Sequence, residues 1–134
     1  MRMNMKWLPT LLLSILVMSC ATSTIINLTP THQPRNPNGV YPVEMALESS
    51  QQTLQHESLT PYVVVGFDFY KMQTTLGMTN RWEALVPIAA GKDSINYHFK
   101  VDYRYNRMGA AGRGSRLSEE YKLAIGETPA GVGK

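Results

Sequence analysis

Cysteine is nearly absent from the chain, and so are the residue patterns of common catalytic sites. The single cysteine, Cys20, has no partner for an intramolecular disulfide. The three histidines lie in separate segments, without the His-x-x-x-His spacing that places two imidazoles on one helix face. There is no Gly-x-Ser-x-Gly elbow, and the adjacent Glu119 and Glu120 would point to opposite faces of a strand. We therefore expect a protein that is not an enzyme and uses neither a metal ion nor a cofactor.

An excess of charge of one sign is also missing. The 13 basic and 10 acidic residues give a formal charge of +3, and two of the basic residues, Arg2 and Lys6, lie at the extreme N-terminus. Without that segment the chain has 11 basic and 10 acidic residues, a net charge of +1. A near-neutral chain gives no electrostatic reason to expect nucleic acid or an anionic membrane surface as a partner.

The chain has no apolar run long enough to cross a membrane. The strongest run extends from Leu8 to Met18, and its 11 residues fall short of the about 20 that a bilayer requires. A short apolar run behind two basic residues is typical of a cleaved signal peptide, which we assign to residues 1–19. The alternative is a retained membrane helix, which would have to extend to Ile26 through four polar residues.

The end of this run, Val17-Met18-Ser19-Cys20, resembles the lipobox of bacterial lipoproteins, in which a small residue precedes the cysteine that becomes the new N-terminus. Ser19 fits the small position, whereas Met18 departs from the usual small or β-branched residue. The resemblance implies a diacylglycerol thioether on Cys20, fatty acylation such as palmitate, and membrane attachment through the lipid. Ala21 stands where aspartate is associated with inner-membrane retention, and this favours the outer membrane. The alternative is an ordinary secretory signal with an incidental cysteine.

Strict alternation of apolar and polar residues marks the most informative segment, from Ile95 to Tyr105. Side chains on a strand point alternately to its two faces, so this segment is predicted to be a long strand with one dry and one wet face. The predicted core residues are Ile95, Tyr97, Phe99, Val101, Tyr103 and Tyr105. The predicted solvent residues are Asn96, His98, Lys100, Asp102 and Arg104.

Shorter alternating segments flank this strand and are separated by turn-forming residues. Tyr62–Tyr70 is predicted to be a central strand with Phe67 and Phe69 inward, and Trp82 is predicted to face inward from the next strand. Pro42 cannot donate a backbone hydrogen bond, so its strand should lie at an edge or begin after it. No segment has the apolar stripe of a core helix. The other predicted strands are Ile25–Leu28, Val40–Glu48, Arg81–Ile88 and Glu120–Ile125.

Six or seven strands without a helix predict an all-β domain, a β-sandwich of antiparallel strands. We place it at residues 25–126, after a lipidated tether at 20–24 and before a flexible tail at 127–134. Trp82-x-x-x-Val86-Pro87-x-x-x-Gly91, followed by Tyr97-x-Phe99-x-Val101-x-Tyr103, resembles strands of immunoglobulin-like and fibronectin-like domains and of glycogen-binding modules. This resemblance implies an immunoglobulin-like sandwich. The second surface tryptophan of glycogen-binding modules is missing, so a shared fold is better supported than a shared ligand.

The glycine- and arginine-rich segment from Asn106 to Ser118 is predicted to be a long flexible hairpin loop. Its arginines, Arg107, Arg113 and Arg116, make it the first candidate for a partner-binding loop, since loops cluster at the ends of such sandwiches. An anion cradle, formed by backbone N–H groups beside arginine, is the alternative interpretation of this segment.

Together these observations predict a non-catalytic, lipid-anchored protein of the bacterial cell envelope that serves as a structural or protein-interaction module. Its expected partners are the membrane, through Cys20, and another envelope protein, but not nucleic acid. A surface carbohydrate-binding module is the alternative function, because sugar-binding sandwiches stack exposed aromatic rings on sugars. The candidate rings are Tyr62, Tyr70, Trp82, Tyr103 and Tyr105, of which parity places Trp82, Tyr103 and Tyr105 with the core.

Overall fold

The computed structural model describes residues 23–50 and 54–126, which form ten strands and a short 3-10 turn at His56–Ser58. The predicted signal peptide, Cys20 and the predicted tail lie outside the described residues. No helix in the described part of the chain is long and apolar enough to cross a bilayer. The strands are β1 (Ser23–Asn27), β2 (His32–Gln33), β3 (Val40–Ser49), β4 (Thr60–Val65), β5 (Asp68–Lys71), β6 (Gln73–Thr74), β7 (Arg81–Pro87), β8 (Ser94–Arg107), β9 (Ala110–Leu117) and β10 (Tyr121–Ile125).

The strands form two sheets that pack around one core. One sheet has the order β1-β3-β7-β6, and the other has the order β2-β10-β8-β4-β5, with β9 pairing the second half of β8. All of these pairs are antiparallel except β2 with β10, which is parallel. With β1, β3, β7 and β6 as strands A, B, E and D, and β4, β5, β8 and β10 as C, C′, F and G, this is the strand order of the immunoglobulin fold. The predicted all-β, immunoglobulin-like sandwich is confirmed.

The structure has more strands than the six or seven predicted. β2 and β6 have two residues each, too few for an alternating pattern to be detected. β5 lies inside the predicted strand Tyr62–Tyr70, and β9 lies inside the predicted loop at 106–118. β1 begins at Ser23, two residues before the predicted start of the domain.

The core lies between the sheets and is filled by alternate residues of both. The predicted inward face of β8 is confirmed from Ile95 to Val101, and Trp82 is buried as predicted. The rings of Tyr97, Phe99 and Tyr121 form a cluster with centroids 5.6–5.8 Å apart. The largest side chains that are less than 2% exposed are Tyr97, Phe99, Met45, Leu123, Val43, Val63, Val86 and Val101.

Side-chain hydrogen bonds join the two sheets. A disulfide cannot do so, because the chain has only one cysteine. Asn27 of β1 donates through Nδ2 to the hydroxyl of Tyr97 on β8 at 3.0 Å. Gln33 of β2 donates through Nε2 to the carbonyl of Pro42 on β3 at 2.8 Å. Each bond crosses from one sheet to the other at the border of the core.

Pro42 lies inside β3, which has neighbours on both sides, and not at the predicted edge position. β7 pairs with the Pro42 region, but β1 pairs only with residues 45–49 and leaves the other side of Pro42 uncovered. The Pro42 carbonyl accepts the Gln33 hydrogen bond on that uncovered side, and a strand residue presents its nitrogen on the same side as its carbonyl. The missing N–H therefore costs no ladder hydrogen bond.

The prediction of one central strand at Tyr62–Tyr70 is wrong, because this segment folds as the β4–β5 hairpin. Val65 pairs with Asp68, which leaves Gly66 and Phe67 as a two-residue turn. Gly66 has a φ of 60°, the positive value that the first position of such tight turns requires. The turn leaves Phe67 98% exposed and places the next aromatic residue, Phe69, on the solvent face of the sheet.

Candidate functional site

The predicted loop at 106–118 is largely a β-hairpin, in which β8 continues to Arg107 and β9 returns from Ala110. Strand alternation separates the arginines that were expected to form one site. Arg113 lies on the solvent face of the sheet, whereas Arg107 and Arg116 lie on the opposite face. Arg107 and Arg116 are also separated by six register positions, about 20 Å along the strand. The three arginines therefore do not converge on one site.

Two tyrosines explain why a glycine-rich segment forms a strand. Tyr103 is the register partner of Gly114, and Tyr105 is the register partner of Gly112. Each ring covers its glycine so closely that a Cβ at Gly114 would come within 2.7 Å of the Tyr103 ring. The prediction that both tyrosines lie in the sandwich core is wrong, because the core cluster ends at Val101 and the hairpin beyond it packs on itself. Both tyrosines are half-buried.

The solvent face of the second sheet carries the best candidate for an interaction site. Tyr62, Lys100 and Leu117 are register partners in one row across β4, β8 and β9. Phe69 of β5 lies next to this row, and Asp102 follows Lys100 on the same face of β8. We define the outer patch as Tyr62, Phe69, Lys100, Asp102 and Leu117.

Lys100 is the centre of the outer patch. Its Nζ lies 6.0 Å from the ring centroid of Tyr62 and 5.9 Å from that of Phe69, within the range of cation–π attraction. The same atom lies 3.0 Å from Oδ1 of Asp102. Burial acts to raise the pKa of Asp102, but hydrogen bonds from Lys100 and Ser115 and the charge of Lys100 outweigh it, and the pKa is lowered. Asp102 is therefore ionised at neutral pH, and the ion pair occupies a defined position on the sheet.

Large apolar side chains are exposed on both sides of this ion pair. Phe69 is 56% exposed on one side, and Leu117 is 62% exposed on the other. The patch thus combines apolar area, aromatic rings and fixed charges, which are features of protein–protein interfaces.

The sequence-based reasoning missed both apolar members of the patch. Phe69 was assigned to the core because the turn before it was not detected, and Leu117 was assigned to a loop. The detectable signal for the turn is Gly66, because a glycine inside a run of β-branched and aromatic residues often marks a turn or a bulge. No comparable signal marks Leu117, because its position depends on the pairing of β9 with β8.

Histidines and carboxylates form no shared site in the described ranges. Among residues 23–50 and 54–126, no three His, Cys, Asp or Glu side chains are grouped so that they could hold a metal ion. His32 lies in β2, His56 in the 3-10 turn and His98 on the solvent face of β8. Glu119 and Glu120 lie between β9 and β10, where both are exposed.

The aromatic residues considered as a sugar platform do not form one flat surface. Trp82 is only 6% exposed. The rings of Tyr62 and Phe69 meet edge to face, with an interplanar angle of 83° and centroids 6.2 Å apart. The two rings therefore do not form one continuous plane.

Comparisons with known proteins add a structural similarity. No protein-family model matches the chain, and no curated protein matches it. Among solved structures, the chain is similar to murine CRIg, an immunoglobulin-like domain, with 9% sequence identity and a TM-score of 0.45. The similarity covers 79% of this chain and 99% of that one. The strand order of the two sheets, rather than this similarity, identifies the domain as immunoglobulin-like.

Proposed function

We propose that this chain is a non-catalytic, lipid-anchored protein of the bacterial cell envelope, and that its immunoglobulin-like domain binds another envelope protein. The observation that carries the proposal is the outer patch, where Phe69 and Leu117 are exposed on either side of the Lys100–Asp102 pair. Apolar surface in contact with water is unfavourable, and a partner that covers both side chains would gain about 25 cal/mol for each Å² that it buries.

A protein partner suits the outer patch better than a glycan does. The fixed charges of Lys100 and Asp102 can set the orientation of a protein partner, while the apolar side chains supply contact area. The perpendicular rings of Tyr62 and Phe69 can pack among a partner's side chains, although they form no joint flat surface for a sugar. A glycan array tests the alternative function directly. If the protein binds a glycan on the array and the substitution Phe69→Ser abolishes this binding, the ligand of the outer patch is a glycan and not a protein.

Changing Phe69→Ser together with Leu117→Ser is expected to weaken partner binding at least tenfold, about 1.4 kcal/mol, because two apolar contacts are removed. The measurement is a quantitative pull-down of the tagged protein from detergent-solubilised native membranes. The partner is identified as the protein whose recovery falls with this variant.

The matched control for this variant is Leu76→Ser together with Leu85→Ser. Leu85 is 63% exposed on β7 of the other sheet, and Leu76 is 98% exposed in the turn between β6 and β7. The control removes a similar exposed apolar area and is expected to leave recovery unchanged. Equal recovery of every co-purified protein with both variants would exclude the outer patch as the interface.

We also propose that Cys20 attaches the protein to the envelope through a lipid, in the outer membrane. Support comes from the lipobox-like Val17-Met18-Ser19-Cys20, from the short apolar run before it, and from Ala21 after it. The first described strand begins at Ser23, three residues after Cys20. An anchor at Cys20 would therefore hold the sandwich close to the membrane surface.

Cells that express the protein and are fed an alkyne-bearing fatty acid are expected to label it, and Cys20→Ser should abolish the label because the thioether cannot form. Ser19→Ala keeps a small residue before the cysteine and should retain the label. In-gel fluorescence after click coupling measures both. A label that persists in Cys20→Ser, or a wild-type chain that takes up none, would contradict the anchor.

A further inference from the structure

The basic residues are concentrated on one protruding element. We define the basic hairpin as residues 103–117, which contain Arg104, Arg107, Arg113 and Arg116 and no acidic residue. The rest of the described chain has six basic and nine acidic residues, a net charge of −3, against +4 on the hairpin. The near-neutral total that spoke against an anionic membrane surface as partner therefore conceals a strong separation of charge.

The arginines of the basic hairpin have no ionic partners in the described structure. The ion pairs found among residues 23–50 and 54–126 involve Arg35, Arg81 and Lys100. Arg104 and Arg113 are instead direct register partners, and like charges placed opposite each other on a sheet destabilise it. An external anion that lies between these side chains would relieve this repulsion.

The tip of the basic hairpin is apolar and fully exposed. Met108, at the turn, has an exposure of 101%, and it is preceded by Arg107. Past the bridge between Leu54 and Tyr105, β8 and β9 pair only with each other among the described strands. An apolar side chain next to an arginine suits the boundary between lipid headgroups and acyl chains, where both kinds of side chain gain free energy.

The basic hairpin and the start of the domain lie at the same end of the sandwich. Ser23 and Thr24 of β1 line one surface depression together with Arg116 and Leu117 of β9. From that level the hairpin continues for six more register positions, about 20 Å. The three residues from Cys20 to Ser23 can span at most about 11 Å. A lipid on Cys20 would thus hold the sandwich so close to the bilayer that the hairpin reaches the headgroups.

We propose that the basic hairpin is a second membrane contact, in which its arginines bind anionic lipid headgroups and Met108 enters the interface. The orientation rests on the proposed anchor at Cys20, whereas the charge separation and the exposed apolar tip do not depend on it. The contact would fix the tilt of the domain relative to the membrane and so determine the direction in which the outer patch faces.

The test uses the chain from residue 20 onward with Cys20→Ser, so that no lipid anchor contributes to binding, and with Met108→Cys coupled to an environment-sensitive dye. Vesicles of phosphatidylcholine alone are compared with vesicles that also contain phosphatidylglycerol. The dye is expected to shift to the blue and brighten only with the anionic vesicles, and to lose this response in 1 M salt, where the screening length falls to about 3 Å. A dye on Asn38→Cys, in the exposed turn before β3 at the opposite end, should show no response.

A charge-removal variant tests the arginines themselves. Arg104→Gln, Arg107→Gln and Arg113→Gln together should weaken binding to the anionic vesicles roughly 100-fold, given a contribution of about fivefold from each basic residue near such a surface. Lys71→Gln, Lys92→Gln and Lys122→Gln together remove the same charge from the rest of the surface. This matched control should change binding less than fivefold.

Three results would overturn the proposal: no dye response with anionic vesicles, the same response with neutral ones, or equal losses from the two charge variants. Binding to a random-sequence oligonucleotide without binding to anionic vesicles would also overturn it. Failure of the anchor is seen separately, in the fatty-acid labelling of the wild-type chain. The charge dependence of hairpin binding is measured without a lipid and does not depend on that result.

Discussion

Replacing Tyr97 by alanine is expected to lower the free energy of unfolding by about 4 kcal/mol, a large part of the 5–15 kcal/mol typical of a domain. Tyr97 is 1% exposed, and its ring lies 5.6 Å from that of Phe99 and 5.8 Å from that of Tyr121. Truncation removes apolar burial and leaves a cavity, and both effects destabilise the core. Urea unfolding measures the loss through the fluorescence of Trp82, which belongs to the same buried cluster.

Tyr97→Phe is the control that separates the ring from its hydroxyl. Phenylalanine retains the packing but cannot accept the hydrogen bond from Asn27, so a loss of only about 1 kcal/mol is expected. If alanine at this position costs no more than phenylalanine does, the ring does not fill the core as described.

The size of the Tyr97 effect reflects how this sandwich is held together. Antibody domains join strands B and F by a buried disulfide, and removing such a bond from a small domain costs about 2–5 kcal/mol. Here the corresponding strands β3 and β8 contribute Met45 and Phe99 to the interior. The rings of Tyr97, Phe99 and Tyr121 all come from one sheet and pack into the core, while the hydrogen bond between Tyr97 and Asn27 crosses to the other sheet. The loss expected for Tyr97→Ala is of similar magnitude to that of such a disulfide.

The alternation in β8 was enough to predict the fold class, because a long half-buried strand requires a second layer against its apolar face. It could not show where that layer ends. Parity places Tyr103 and Tyr105 on the same face as Phe99, yet the core cluster ends at Val101. Whether an inward side chain meets an opposing sheet depends on the lengths of strands elsewhere in the chain, and no local pattern records those lengths.

The outer patch was beyond sequence reasoning for a related reason. Its residues come from β4, β5, β8 and β9, and they meet only through the register between these strands. Phe69 changes from core to surface because one two-residue turn at Gly66 and Phe67 reverses the chain. A two-residue turn exchanges the parity that faces the core, and an alternating run of apolar residues does not reveal such a turn, so the pattern alone favoured a continuous strand.

β9 illustrates how a distant pairing overrides local preference. Glycine is a poor strand residue, and the segment around Gly112 and Gly114 has the composition of a loop. Its glycines become favourable only when Tyr103 and Tyr105 lie across them from the neighbouring strand, a known way of stabilising glycine in sheets. The Tyr-x-Tyr pair and the Gly-x-Gly pair are both visible in the sequence. Which tyrosine faces which glycine depends on the two-residue turn at Met108-Gly109.

Gly114→Ala is therefore expected to destabilise the basic hairpin by about 2 kcal/mol, although alanine is normally the better strand residue. The new methyl group would lie 2.7 Å from the Tyr103 ring, so the ring must shift away from β9 and lose part of its contact with that strand. In a Tyr103→Ala background the sign should reverse, and Gly114→Ala should stabilise by about 0.5 kcal/mol because alanine loses less backbone entropy on folding. Hydrogen exchange of the β9 amides measures both effects, since a hairpin can open while the sandwich stays folded.

Gly91→Ala, at a turn position with no atom within 4 Å of the added methyl, is the control and should not alter exchange in β9. Equal costs of Gly114→Ala in the two backgrounds would mean that the two residues are not coupled, and that the tyrosine ring does not hold this strand in place.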